Sequence, residues 1–253
     1  MTSGAAVAQP RVSELDRASE LPRASELMIH VAGTALPLCI RRNARARRMV
    51  LRLAGSGDGL VLTLPVSIPV AEGLAMIERE RTWIERRLQT MPPRQPFVDG
   101  ASIPVLGETL HIRHRADRKA GVARVGDAIE VGGPADRLAD RLTRWLRAMA
   151  LADLVERSGV KAGRLGRTVR SVRVREMRSR WGSCSARGDL SYNWRLIMAP
   201  PPVVDYVAAH EVAHLACRGH DSAFWATVER LASDVASARA WLRSEGGRLM
   251  SYG

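Results

Sequence analysis

Along residues 28–133, apolar and polar positions alternate in short runs. "MIHVAGTALPLCIRR", "RMVLRLAGSGDGLVLTLP", "ETLHIRHR" and "DAIEVGG" read as β-strands, because a period of two turns one face toward a core. "GSGDG", set between two apolar runs, reads as a hairpin turn. One helix interrupts this region over Val70–Thr90, where Leu74, Ile77, Trp83, Ile84 and Leu88 recur at helical spacing and Pro92 and Pro93 follow. A second long helix is predicted over Ala135–Ser158. Its stripe is Leu138, Leu142, Trp145, Leu146, Met149 and Leu154, and Gly159 is placed to stop it. "TVRSVRVREM" then reads as strand, and "SRWGSCSARGDLSYNWRLIMAP" as a hairpin turning near "ARGD". The last third predicts three helices, over 202–217, 221–233 and 235–244, with Asp221 capping the second.

Strands followed by helices predict an α+β fold, not a wound βαβ array. Residues 1–27, in which "RVSELDRASELPRASEL" repeats Ser-Glu-Leu, read as a flexible tail. Residues 28–133 form a β-rich N-terminal region, and 134–253 an α+β region that carries the chemistry. Beyond the tail, no internal repeat is read.

Composition narrows the class. The 253 residues are 46% hydrophobic and 26% charged, a soluble balance. No run approaches the roughly 18 apolar residues that cross a bilayer, and the first thirty residues lack the apolar core of a secretion signal. Cys39, Cys184 and Cys217 are odd in number and widely spaced, which fits a reducing compartment; a cytoplasmic protein is expected. The net charge of +13 favours anionic partners. Yet Lys occurs only at 119 and 161, and Ala is abundant, the bias a G+C-rich coding sequence produces without selection for binding. Two clusters stand out. Lys161–Arg180 abuts the predicted hairpin and suggests an anion-binding groove, with Arg173 and Arg175 on one strand face. Arg41–Arg48 reads as charge protecting a sheet edge.

Three of the six histidines fall within eleven positions, in "HEVAHLACRGH". Four residues advance a helix by about 400°, so His210 and His214 share a face, about 6 Å apart along the axis. Two imidazoles so placed can hold one ion. Glu211 is turned about 100° from His210, beside such an ion, where a carboxylate can take a proton from water. Pro200–Pro202 suit a helix start and Gly219 its end, which leaves His220 free to fold back as a third ligand. Three nitrogens plus one water make an open, catalytic-type zinc site.

These residues carry a resemblance. "RSRWGSCSARGDLSYNWRLIMAPPPVVDYVAAHEVAHLACRGHDSAFW" resembles the YgjP-like metallopeptidases, zincin-type proteins related to the SprT-like and WLM groups. "IRRNARARRMVLRL", "RTWIERRL" and "IPVLGETLHI" resemble the family's N-terminal half, so the likeness spans about residues 28–245. It implies a zincin-like fold for the second half, zinc ligands at His210, His214 and His220, and Glu211 as catalytic base. Val212 and Asp221 replace the family's usual Leu and Ser; both are compatible with a helix.

The expected reaction is metal-assisted hydrolysis, with water activated on zinc and Glu211 as its proton acceptor. Arg178, Arg180, Asn193, Arg195 and Tyr206 flank the metal helix in sequence and are the candidates for contacting substrate or a developing oxyanion. In zincins an edge strand commonly pairs with extended substrate, and "RWGSC" or "LSYNWRLI" is that edge here, with Gly182 permitting close backbone approach. Trp181, Trp194 and Leu196 are expected to pack under the helix, and Cys184 and Cys217 to be structural. Three substrate classes remain open. An extended or anionic polypeptide is the first. Nucleoside triphosphates are the second, since arginines suit phosphate. The third is nucleic acid bound by the Arg-rich segments of a non-enzymatic zinc protein, against which Glu211 argues. No membrane partner is expected, and the oligomeric state is open.

Overall fold

The computed structural model describes residues 27–53, 59–177 and 180–253. The predicted tail up to residue 26, most of the "GSGDG" turn and Arg178 lie outside the described residues. Two compact units divide between Met91 and Pro92. Residues 92–133, which the sequence pattern groups with the N-terminal strands, belong to the second unit. Among the described residues no helix is long and apolar enough to cross a membrane.

The first unit is a four-stranded sheet with two helices. Its strands are β1 (Met28–Val31), β2 (Thr34–Arg42), β3 (Val50–Leu53) and β4 (Leu60–Leu64), in spatial order β1-β2-β4-β3. Leu36, Leu38, Leu60, Leu62 and Leu64 point into one core, as the alternation requires. The helix predicted over Val70–Thr90 is two helices, α1 (Val70–Arg79) and α2 (Arg81–Gln89), broken at Glu80. The break lets α1 pack on β4 and α2 on β1, which one straight rod would not do over a twisted sheet. In α1, a Cβ at Gly73 would come within 2.7 Å of Leu62 and 2.9 Å of Leu64, so helix and sheet meet closely there. Arg42 donates to the carbonyls of Pro65, Val66 and Ile68. It ends a central strand and holds a loop; it does not shield a sheet edge.

The second unit opens with β5 (Ser102–Val105), β6 (Glu108–Arg115), β7 (Gly121–Val125) and β8 (Ala128–Gly132), ordered β5-β6-β8-β7. This corrects the absence of an internal repeat. In both sheets two antiparallel hairpins join through a parallel central pair, and a helix follows. Ile103, Val105, Gly107, Leu110 and Ile112 follow Ile29, Val31, Gly33, Leu36 and Leu38 at one constant offset. The first turn of each copy is a two-residue turn with both residues at positive φ, Ala32 (49°) and Gly33 (77°), then Leu106 (49°) and Gly107 (85°). Such turns match strand twist and favour glycine at the second position. Outside these positions the copies have diverged, and β7 is almost wholly exposed, which removes the pattern that would have predicted it.

Helix α3 (Leu138–Arg164) crosses the second unit, burying Leu138, Leu142, Leu146, Ala150 and Leu154 along the predicted stripe. It does not stop at Gly159. A glycine inside a helix costs about 1 kcal/mol, and buried bonds offset this. The Ser158 hydroxyl lies 3.0 Å from that of Tyr192, and the Lys161 amine donates to the Leu231 carbonyl at 2.6 Å and pairs with Asp205 at 2.8 Å. The chain leaves the helix at Gly166, with φ 61°.

After α3 come β9 (Ser171–Arg175), β10 (Gly182–Cys184) and β11 (Asp189–Asn193), in order β10-β11-β9. The predicted hairpin is present, with Gly182 opposite Tyr192 and Cys184 opposite Leu190. β11 is central, so of the two proposed edges only that of "RWGSC" is one; "LSYNWRLI" is paired on both sides and ends in a 3-10 turn over Trp194–Met198. Helices α4 (Pro201–Ala213), α5 (Ser222–Leu231) and α6 (Val235–Leu249) complete the α+β unit. The first ends four residues earlier than its pattern predicts. The last runs on through Gly246, against which Trp181 packs; a Cβ there would lie 3.2 Å from the indole.

Lys161→Met should lower stability by about 1–3 kcal/mol, because it strands the buried Leu231 carbonyl. The measurement is the urea midpoint at unchanged m-value. An unchanged midpoint would mean that this amine does not hold the last turns of α3.

Candidate metal centre

Helix α4 presents His210 in its last turn, and His214 follows as its C-cap, still helical at φ −65° and ψ −13°. The shared face predicted from the spacing is therefore kept although regular helix ends at Ala213. His220 returns from the following loop. One ligand nitrogen from each of the three rings lies within 4.8 Å of the others, and among the described residues no other His, Cys, Asp or Glu cluster offers such a group. Nε2 of His210 and Nε2 of His220 are 3.2 Å apart. Zinc–nitrogen bonds of about 2.0–2.1 Å in a tetrahedron separate two ligands by about 3.3 Å, so the His210–His220 pair has the spacing that a zinc-sized ion requires.

The outer nitrogens reinforce the fit. Nδ1 of His214 lies 3.1 Å from the Cys217 carbonyl, to which it donates, leaving Nε2 with its lone pair. Nδ1 of His210 is buried with no hydrogen-bond partner among the described residues, so this ring meets the cleft through Nε2. Burial, followed by the neighbouring His214 and His220, holds the His210 imidazolium pKa down to about 4, which keeps the ring neutral at pH 7.

Phe224 organises the three rings. It is fully buried, and its ring centroid lies 4.9 Å from His210, 4.6 Å from His214 and 4.6 Å from His220. Asp221 places it: the carboxylate accepts from the Phe224 N–H at 2.9 Å and starts α5, the capping role predicted for Asp221. The chain motif around Phe224 and Trp225 was legible, but its contact with three histidines was not.

Glu211 is 6% exposed and is not part of the three-nitrogen group. Its side chain lies against the backbone of Gly182 on β10: a Cβ at 182 would come within 2.5 Å of both Cγ and Oε1. Gly182 does permit a close approach, as predicted, but the group that approaches is Glu211. Burial pushes the Glu211 carboxyl up to about 7, with Arg180 pulling the other way.

The three rings and Glu211 sit in an open cleft of about 790 Å³ that Arg180, Cys184 and Arg187 also line. Of the predicted substrate contacts, Arg180 is brought here. Asn193 is not: fully buried, it donates to the Met177 carbonyl and accepts from the Arg195 N–H. Arg195 is not: it pairs with Glu176, donates to the Tyr252 carbonyl at 2.9 Å and lies over Trp194. Tyr206 stands edge-on to His210, 6.0 Å between centroids, on the α6 side near Arg239. Arg173 and Arg175 are exposed on β9, away from the cleft lining. The Cys184 thiol is pushed up to about 11 by burial and by Glu211 and Asp189, so it stays protonated and is no nucleophile.

A buried carboxylate beside three converged imidazoles is the equipment of metal-assisted hydrolysis, and the family comparison agrees. The model of the YgjP-like family, metallopeptidase domain, matches residues 47–245. The chain belongs to this family, and as a metallopeptidase-family protein it is a metallohydrolase. No curated protein matches it. Among solved structures, it is similar to the metallopeptidase zymogen of Pyrococcus abyssi abylysin. The two are 21% identical at a TM-score of 0.32, over 36% of this chain and 95% of that one.

Phe224→Ala should weaken divalent-metal affinity about 10–100-fold, the usual effect of losing an outer support for metal ligands. Competition with a chromophoric chelator measures it, with the far-ultraviolet dichroism retained. Unchanged affinity would mean that the histidines hold their positions without the ring.

Proposed function

We propose that the protein is a zinc-dependent metallopeptidase in which His210, His214 and His220 hold the ion and Glu211 is the general base. The observation that carries this reading is the convergence of the three rings beside a buried carboxylate that is not one of the group. When bound, zinc supplies Lewis acidity, polarising a substrate carbonyl and lowering the pKa of water toward about 7. Glu211, braced by Gly182, takes the proton of the attacking water at its carboxylate and returns it to the leaving amine. Such a base contributes about a hundred- to ten-thousand-fold. We assign Arg180, on the cleft wall near Glu211, as the donor that meets developing negative charge; its lining position supports this. Strand β10 offers its free edge for main-chain pairing with an extended substrate.

A second reading, hydrolysis of the phosphoanhydride bonds of nucleoside triphosphates, draws support from the arginines of the cleft. No glycine-rich P-loop accompanies them. Incubation with unfolded polypeptides and, separately, with nucleoside triphosphates decides between the two.

Purified protein is expected to contain about one zinc per chain, the stoichiometry of a site with three protein ligands. His220→Ala should lose the metal. Glu211→Gln should keep it and lose turnover by at least about a hundredfold. Gly182→Ala should also keep the metal, while its methyl group displaces Glu211 and lowers kcat by about a hundredfold. Turnover of Glu211→Gln at the parent rate would remove Glu211 from the reaction.

A further inference from the structure

Beyond Arg180, which the proposed reaction uses, the cleft carries positive charge that hydrolysis does not require. Arg167, Arg180, Arg187 and Arg218 line it, and all four are exposed. Among the described residues none of the four forms an ion pair, although Arg157, Arg170 and Arg195 of the same unit do. Glu211 is the one carboxylate among the described residues of the lining, and it is buried. Four guanidinium groups without an ion pair among the described residues, with one buried carboxylate between them, make a field that favours anions.

The edge strand says which kind of anion. The Asn193 N–H donates to the Trp181 carbonyl and the Ser185 N–H to the Asp189 carbonyl. Residue pairs bonded to β11 therefore alternate at 181, 183 and 185, and Gly182 and Cys184 turn their N–H and C=O groups away from β11. Arg180 precedes this edge and Arg187 follows it. A free edge of alternating donors and acceptors matches a peptide backbone; a sugar-phosphate backbone lacks the amide donors. Among the described residues of the lining there is no Phe, Tyr or Trp on which a base could stack.

We propose that the cleft selects acid-rich extended polypeptide. Its backbone pairs with Gly182 and Cys184, and its Asp and Glu side chains meet Arg187, which follows β10, and Arg167 and Arg218 of the lining. As a statement about substrate the inference rests on the peptidase reading; as a statement about binding it can be tested apart from catalysis.

The test is fluorescence anisotropy on the zinc-loaded, full-length Glu211→Gln protein. Three labelled probes of equal length are used: an acid-rich peptide, its Asn/Gln counterpart and a single-stranded oligothymidylate. The acid-rich peptide is expected to bind about tenfold more tightly than the counterpart, equivalent to about 1.4 kcal/mol. High salt should remove most of that difference, as should Arg187→Gln combined with Arg218→Gln. Equal affinity for the two peptides overturns the proposal, and so does a preference that survives both substitutions. Tighter binding of the oligothymidylate than of the acid-rich peptide also overturns it, assigning the rim to nucleic acid. Cleavage of the same peptides by the unsubstituted protein is followed in parallel. If neither is cut while the charge-dependent binding persists, the peptidase reading fails and the binding proposal stands.

Discussion

The distance between strand β10 and helix α4 governs everything in the cleft, and a single hydrogen atom sets it. At residue 182 any β-carbon would occupy the space of the Glu211 side chain. With glycine there, the carboxylate lies flat on the strand's backbone, largely out of water. Burial destabilises its charged form and moves its titration toward neutrality, where a carboxyl group can both accept and return a proton. The same contact brings the edge of the sheet alongside the histidines. In the proposed reaction, substrate pairing and proton transfer thus share one constraint.

Around that contact the molecule supplies rigidity from three directions. Phe224, locked by its own helix cap, packs against all three imidazoles. Below, α3 is tied to α4 by the Lys161–Asp205 pair, to the end of α5 by the Leu231 carbonyl, and to β11 by Ser158 and Tyr192. Behind, Glu176 accepts from the Trp194 indole and pairs with Arg195, whose guanidinium also holds the Tyr252 carbonyl. This last network explains why Asn193 and Arg195, neighbours of the site in sequence, face away from it. Buried polar groups need partners, and theirs are structural.

The repeated hairpin-pair module places the same strand order before two different helical continuations. In the first unit the helices simply cover the sheet. In the second, a single 27-residue helix leaves the sheet and becomes the floor on which the histidine-bearing helix α4 packs. One architecture serves once as a closed small core and once as the foundation of a cleft.

The α+β class, the long apolar stripe of α3, the β10–β11 hairpin, the cap at Asp221 and the grouping of His210, His214 and His220 were legible from residue order alone. Each is written by local periodicity or by spacing within a single helical turn, and neither needs distant partners to be recognised. Other features depend on residues far apart in the chain: the break at Glu80, the passage of α3 through Gly159, the middle position of β11 and the turning away of Asn193 and Arg195. The repeat was hidden because only its turn glycines and inward apolar positions persist, while its exposed strand carries no pattern. Spacing along the helix determined which groups share a face. Only packing decided what lies against that face, because contact between a glycine backbone and a glutamate twenty-nine residues later is set by how a sheet and a helix come together, and no local pattern encodes it.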